Sequence, residues 1–136
     1  MSRVIRTAAL AHIRDRRLLQ ARSHGKAAFY MAGGKLDPGE DAETALHREI
    51  REELDAAVVP GTLALLDVFE APAWGHAEGT DVQITCFLGE LGSEPTATSE
   101  IAEVRYFTRD EYRASGDVAP GSLLVFDRLH ELGLVD

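Results

Sequence analysis

Residues 33–56 constrain this chain more than any other segment, because they combine a glycine-proline turn with a strongly acidic helix. Glu52 and Glu53 follow Glu49 at spacings of three and four residues. At about 100° per residue, a helix places these three side chains within an arc of roughly 100°, where like charges repel. Hard divalent cations such as Mg²⁺ bind carboxylate oxygens together with substrate phosphates. The segment therefore predicts a helix whose acidic face handles a metal ion and a phosphate group.

The spacing of the whole segment resembles the signature of the Nudix hydrolases, G-x5-E-x7-R-E-U-x-E-E-x-G-U, in which U is a bulky apolar residue. The positions that match in register are Gly34, Glu40, Arg48, Glu49, Ile50, Glu52 and Glu53. Ala32 stands where many relatives carry proline, Asp55 replaces glycine, and Ala56 replaces a large aliphatic residue. Asp55 falls at the helix exit, where a left-handed conformation is common and Asp tolerates it better than most residues. We expect the differences at Asp55 and Ala56 to affect the helix exit and to leave the acidic face intact.

Each part of the segment also has an ordinary interpretation. Acidic runs are common on solvated helix faces, a glycine pair is more often a turn than a phosphate cradle, and DPGE is a usual start of a helix. Only their combination at fixed spacing favours a functional site. Two alternatives stay open at this point: a non-catalytic Nudix-like module that binds a nucleotide or a partner protein, and a structural helix with no site.

The resemblance implies roles for the residues of the acidic segment. Glu52 and Glu53 would be direct metal ligands, and Glu49 would be a third ligand or the base that activates water. Arg48 would orient Glu49 or pair with Glu40 without touching the substrate. The implied cofactor is Mg²⁺, with Mn²⁺ as an alternative, and family members differ on which carboxylate is the base.

Further residues outside the acidic helix are candidates for completing the site. By the same resemblance, the Gly33 carbonyl and the Glu100 carboxylate would be additional metal ligands. Gly34 and Lys35 would contact substrate phosphates, and Lys35 would stabilise charge on a leaving phosphate. Arg22 could contact a phosphate or a base, because a guanidinium matches phosphate geometry. The ordinary alternatives are a solvated turn lysine, a loop acid and a surface salt bridge.

Apolar patterning predicts strands interleaved with two main helices. The predicted strands span residues 4–13, 17–22, 29–31, 62–70, 82–90 and 102–107. Those at 62–70 and 82–90 are predicted to form an antiparallel pair. The central helix runs from near its N-cap Asp41 to Leu54, with an apolar stripe at Leu46, Ile50 and Leu54 beside the acidic face. A helical turn at 110–114 precedes a closing helix at 122–132. This order predicts an α/β fold with a mixed sheet between helices. The resemblance implies the Nudix α/β/α sandwich, as one domain over residues 1–136.

The amino-acid composition narrows the classes of molecule that this protein is expected to bind. The net charge of −9 argues against a nucleic-acid-binding surface, although a bound divalent ion can still attract an anionic substrate. Cys86 is the single cysteine, so an internal disulfide is excluded. No apolar stretch is long enough for a membrane span, and the N-terminus lacks the pattern of a signal peptide. We expect a cytoplasmic monomer or homodimer that acts on a small nucleotide, with no nucleic-acid or membrane partner.

The choice of substrate depends on weaker signals. A compact domain, GGK at residues 33–35 and Arg22 favour a nucleoside triphosphate, including an oxidised one, cleaved to a monophosphate and pyrophosphate. ADP-ribose or a nucleotide sugar is the alternative, favoured by Pro72, because some ADP-ribose-cleaving relatives carry a proline at that offset. Aromatic residues that could contact a base are Phe29, Tyr30, Trp74 and Phe87. The loop at 73–80 is expected to supply hydrogen-bond partners that distinguish bases.

Overall fold

The computed structural model describes residues 3–73 and 78–136. Within them the chain forms strands interleaved with helices in the predicted order. The strands are β1 (Arg3–Ala11), β2 (Ile13–Arg14), β3 (Arg17–Ser23), β4 (Tyr30–Lys35), β5 (Ala64–Pro72), β6 (Thr80–Leu88) and β7 (Ile101–Phe107). The helices are α1 (Ala42–Leu54), α2 (Arg109–Arg113) and α3 (Pro120–Glu131). Trp74 and residues 75–77 of the predicted specificity loop lie outside the described residues.

Strand β1 lies at the centre of a mixed sheet. It pairs with β6 in parallel along its whole length and with β4 in antiparallel orientation. The order along the sheet is β2-β3-β4-β1-β6-β5, and β7 pairs with β3. The predicted antiparallel pairing of β5 with β6 is confirmed. The predicted mixed sheet is therefore correct.

Helices cover both faces of this sheet. Because side chains alternate along a strand, Ala8 and Leu10 of β1 belong to the core around α1, whereas Ala9 and Ala11 belong to the core around α3. In α1 the fully buried stripe includes Leu46, Ile50 and Leu54, as predicted. Burial stabilises each of these side chains by about 1.5–3 kcal/mol. The stripe thus fixes the direction in which the acidic face of α1 points.

Several boundaries differ from the prediction. The predicted first strand is interrupted at His12, whose carbonyl accepts the Leu19 N–H at 2.9 Å. The turn that follows uses positive φ angles at Asp15 and Arg16, which suits a two-residue hairpin. Strand β4 continues through the glycine pair instead of ending at it. No helix in the described part of the chain is both long and apolar enough to cross a membrane.

Candidate functional site

Both ends of α1 are held by local contacts. Asp41 is the N-cap, and its side chain accepts the Thr44 N–H at 2.8 Å, which lowers the pKa of the Asp41 carboxyl. At the other end Asp55 adopts φ 48° and ψ 43°, and its N–H donates to the Arg51 carbonyl. The expected left-handed exit is therefore confirmed with Asp in place of glycine. The two caps therefore fix the residues at which α1, and with it the acidic face, begins and ends.

Arg48 is the cation around which the acidic face is ordered. Its Nε and Nη2 atoms each donate to Glu40 at 2.8 Å, so this pair is bidentate. Nη1 donates to Glu49 at 2.8 Å, and Nη2 also reaches the Lys35 carbonyl at 3.1 Å. The Arg48 bonds, helped by the Asp37 N–H, lower the pKa of Glu40 to about 2. Arg48 therefore keeps Glu40 ionised and fixes one oxygen of Glu49.

The environment of Glu53 disfavours the ionised form of its carboxyl. Burial, with the neighbouring Glu49 and Glu100, raises the pKa of Glu53 to about 8, although a hydrogen bond from the Gly33 N–H opposes the rise. Glu52 lies at the exposed margin, 3.3 Å from Arg48, with 60% of its side chain exposed. The structure thus brings Glu49, Glu53 and Glu100 into electrostatic contact and leaves Glu52 at the edge.

The donor set fits a hard divalent cation. Among residues 3–73 and 78–136, no three His, Cys, Asp or Glu side chains are already gathered as a complete ligand group. The groups that surround Glu53 nevertheless offer only oxygen ligands, and their mutual repulsion is what a bound cation relieves. Glu49, Glu53 and Glu100, with Glu52 at the margin, are the side chains that would hold it.

Gly33 is required by its close approach to the backbone of β1, and Gly34 lies directly against the Glu49 carboxylate. Gly33 has φ 138°, and a Cβ there would collide with the Ala8 carbonyl oxygen. A Cβ on Gly34 would lie 2.5 Å from the Glu49 carboxylate. These glycines therefore form a strand pressed between β1 and the acidic helix, and not the turn that GG suggests.

A cavity of about 250 Å³ opens beside the acidic face. Gly33, Gly34, Lys35 and Glu53 line one end of it. Much of the remaining wall is apolar and comes from six strands and the start of α3, through residues such as Ile5, Ala21, Tyr30, Met31, Pro72, Val82, Ile84, Ile101, Pro120 and Gly121. The site therefore joins the acidic face of α1 to an apolar cleft. The contribution of α3 was not predicted, because it comes from a segment about 70 residues away.

The predicted substrate residues divide between the cavity and other surfaces. Lys35 and Pro72 line the cavity. Arg22 does not line it, since it lies between the cavity residues Ala21 and Ser23 on β3 and side chains alternate. Its guanidinium lies 3.6 Å from Glu103 and donates to the Lys26 carbonyl, which matches the salt-bridge alternative.

The aromatic candidates also divide. Tyr30 lines the cavity. Phe29 is buried in the core around α3, where its ring meets Phe107 edge to face, and Phe87 packs against the core around α1. Trp74 lies outside the described residues. The structure therefore leaves Tyr30 as the described aromatic candidate for contact with a base.

Comparison with known proteins assigns the chain to one family. The model of the NUDIX domain matches residues 4–129. A curated relative, ADP-ribose pyrophosphatase of Methanocaldococcus jannaschii, is 32% identical over 82 residues, which are 60% of this chain and 47% of that protein. The chain thus spans about half the length of the curated relative it matches.

Solved structures with the same fold include two bacterial proteins. The solution structure of the ORF135 protein of E. coli superposes with a TM-score of 0.75 at 21% identity, covering 97% of this chain and 92% of that one. The MutT NUDIX hydrolase of Burkholderia pseudomallei has a TM-score of 0.66 at 26% identity, covering 81% and 87%. These similarities agree with the sandwich described above.

Proposed function

The chain belongs to the NUDIX domain family, and from that premise we propose that it is a divalent-metal-dependent pyrophosphohydrolase. The substrate would be a nucleoside diphosphate derivative, cleaved at its diphosphate linkage by one domain over residues 1–136. The observation that carries the proposal is Glu53, which lines an apolar cleft and whose pKa is raised to about 8 by burial and by neighbouring carboxylates. A buried group with a perturbed pKa in a cleft is a candidate for catalysis.

The carboxylates would divide the work of binding and proton transfer. Glu49, Glu52, Glu53 and Glu100 would hold Mg²⁺ or Mn²⁺, together with the Gly33 carbonyl. The bound ion would neutralise phosphate oxygens and lower the pKa of a water molecule. Whichever of Glu49 and Glu53 has an oxygen left over from metal binding would accept the proton from that water. We leave this base unassigned between the two.

The other residues would position the substrate. Arg48 would hold Glu49 in place through the 2.8 Å bond and would not touch the substrate. Lys35, at the acidic end of the cleft, would stabilise charge on the leaving phosphate. The apolar wall would take the nucleoside or a second sugar. Phosphoryl transfer asks little covalent chemistry of a protein, so positioning and charge account for most of the catalysis.

Two substrate classes compete on equal support. A nucleoside triphosphate, including an oxidised one, is supported by GGK with Lys35 at the cleft and by the likeness to a MutT NUDIX hydrolase. ADP-ribose or a nucleotide sugar is supported by the likeness to an ADP-ribose pyrophosphatase and by Pro72 in the cavity wall. Arg22 no longer favours the first class, because it lies outside the cavity.

A substrate panel tests the activity. Purified protein is incubated with Mg²⁺ or Mn²⁺ and nucleoside triphosphates, ADP-ribose, nucleotide sugars and dinucleoside polyphosphates, beside a Glu53→Gln control. We expect hydrolysis that needs the metal and is lost in the control. Nucleotide binding without turnover would favour the non-catalytic module, and inactivity without metal binding would leave only a structural helix.

Steady-state kinetics then separate the two substrate classes. The comparison is kcat/KM for oxidised and normal guanosine triphosphates against ADP-ribose. A preference for ADP-ribose above about tenfold, roughly 1.4 kcal/mol in transition-state binding, would select the second class. The reverse preference would select the first. Either result leaves the metal chemistry unchanged, because both classes contain the same diphosphate linkage.

A further inference from the structure

The C-terminal end of α1 is closed by two threonines from a distant segment. The last carbonyls of a helix lack partners within the helix and need donors from elsewhere. Thr98 donates to the Glu53 carbonyl twice, from its N–H at 3.3 Å and from its hydroxyl at 2.8 Å. Thr96 donates to the Leu54 carbonyl in the same way, at 2.9 and 3.3 Å. The two residues therefore bind neighbouring carbonyls with the same pair of donors.

The same segment carries Glu100, two residues beyond Thr98. The Ile101 N–H donates to the Thr98 carbonyl at 3.0 Å, which closes a tight turn around Glu100. The Glu100 carbonyl accepts the His24 N–H from the end of β3 at 3.2 Å. Glu100 is thus attached on one side to β3 and on the other, through Thr98, to the backbone of Glu53. Its charge in turn acts on the Glu53 carboxyl.

We infer that Thr98 is a positioning residue whose hydroxyl holds Glu100 against Glu53, so that both carboxylates can serve one cation. The inference rests on the proposed function. The hydroxyl makes the shorter of the two bonds to the Glu53 carbonyl, and Thr98 is half-buried. Thr96 is exposed and binds Leu54, which carries no ligand. The chain therefore contains its own matched control.

The test measures Mn²⁺ binding to the free protein by electron paramagnetic resonance of unbound Mn²⁺. Thr98→Val keeps the shape and the backbone N–H and removes only the hydroxyl. We expect it to weaken Mn²⁺ binding about tenfold, as is usual when a partner of a metal ligand is lost. Thr98→Ser, which keeps the hydroxyl, should restore the affinity. Thr96→Val should stay within about twofold of wild type, like other surface changes.

A double-mutant cycle separates positioning from general loss of stability. If Thr98 acts through Glu100, Thr98→Val should cost much less Mn²⁺ affinity in a Glu100→Gln background than in the wild-type background. Melting temperatures of all variants are recorded in parallel. The inference would be overturned by any of three results. These are an equal loss of Mn²⁺ affinity in Thr96→Val and Thr98→Val, the same loss from Thr98→Val in both backgrounds of the cycle, or unchanged affinity in Thr98→Val.

The same measurements distinguish failure of the positioning role of Thr98 from failure of the proposed function. Wild-type protein that binds Mn²⁺ and hydrolyses a substrate, together with an unaffected Thr98→Val variant, would overturn the positioning role alone. Wild-type protein that neither binds Mn²⁺ nor hydrolyses any member of the panel would overturn both. Restoration by Thr98→Ser, with full affinity in Thr96→Val, supports the positioning role.

Discussion

Two cavities of similar volume lie on this molecule, and their charges differ. The cavity beside α1 measures about 250 Å³, and a second one of about 290 Å³ is lined by His12, Arg14 and residues 90–95. In the second, Arg14 donates to both oxygens of Glu94, and the two side chains are 46% and 64% exposed. In the first, Glu53 is shielded from water and faces further carboxylates. Volume alone does not distinguish a site from a surface hollow.

The difference lies in what compensates each carboxylate. Water and Arg14 together stabilise Glu94, and the Arg14 hydrogen bond lowers the pKa of that carboxyl. Exposed pairs of this kind contribute little to stability, because water screens them. Glu53 is only partly hydrated, and within residues 3–73 and 78–136 no basic side chain forms a salt bridge with it. A divalent ion therefore has more to stabilise there. The contrast predicts that equivalent substitutions in the two cavities have very different effects.

The largest difference should follow removal of one carboxylate from each cavity. Glu53→Gln keeps the size of the side chain and removes its charge, so turnover should fall by at least about two orders of magnitude. Glu94→Gln should leave turnover unchanged. Steady-state rates at ordinary Mg²⁺ concentration, with circular dichroism to verify the fold, provide the measurement. Wild-type turnover in Glu53→Gln would remove the distinction between the cavities.

A methyl group placed in each cavity wall should give the next largest difference. In Gly34→Ala the new Cβ would overlap the Glu49 carboxylate and displace it. A displacement near 1 Å costs about 100-fold in rate. In Gly92→Ala, at the second cavity, the nearest atoms are 3.6 Å away, which is ordinary contact. Comparable activity in the two variants would show that Glu49 does not need its present position.

Replacement of the arginine in each cavity by lysine should produce a smaller difference in kcat. Arg48 binds Glu40 through two nitrogens and Glu49 through a third, a geometry that one ammonium cannot reproduce. We expect Arg48→Lys to lower kcat about tenfold with little change in KM, because only the orientation of Glu49 changes. Arg14→Lys should leave kcat unchanged. A rise in KM alone for Arg48→Lys would indicate direct contact with the substrate instead.

The sequence predicted the parts of this contrast that depend on local spacing. The cap at Asp41, the buried stripe through Leu46 and Ile50, and the left-handed exit at Asp55 all follow from residues a few positions apart. Helical periodicity places the acidic face once those are known. The mixed sheet could also be predicted, because the order of strands and helices allows few arrangements.

The remaining features depend on contacts between distant segments, which spacing does not reveal. Gly33 is required by the Ala8 backbone and Gly34 lies against the Glu49 carboxylate, and these neighbours come from two other elements. Thr98 meets Glu53 across 45 residues. Arg22 faces away from the cavity because of the register of β3, and a shift of one residue would have reversed this. Spacing in the sequence therefore indicates which carboxylates share the acidic face of α1. It does not indicate which residues of other elements contact them.

The smallest expected effect is a pH dependence that has opposite signs in the two cavities. The folded-state pKa of Glu53, about 8, lies above its ordinary value of 4.5, so between these values the folded protein binds an extra proton. Its stabilising contribution is complete below 4.5 and is lost as the pH rises toward 8. The pKa of Glu94 is lowered on folding, so its contribution persists above 4.5 and is lost only at lower pH.

Melting temperatures of metal-free protein measured from pH 5 to pH 8 test this difference in sign. Relative to Glu53→Gln, the wild-type melting temperature should fall by a few degrees across the range, because only the wild type must give up the proton. Glu94→Gln should follow the wild-type curve in parallel. Saturating Mg²⁺ should flatten the wild-type curve, since the cation binds the ionised carboxylate. Parallel curves for wild type and Glu53→Gln would show that Glu53 is ionised in both states and as well compensated as Glu94.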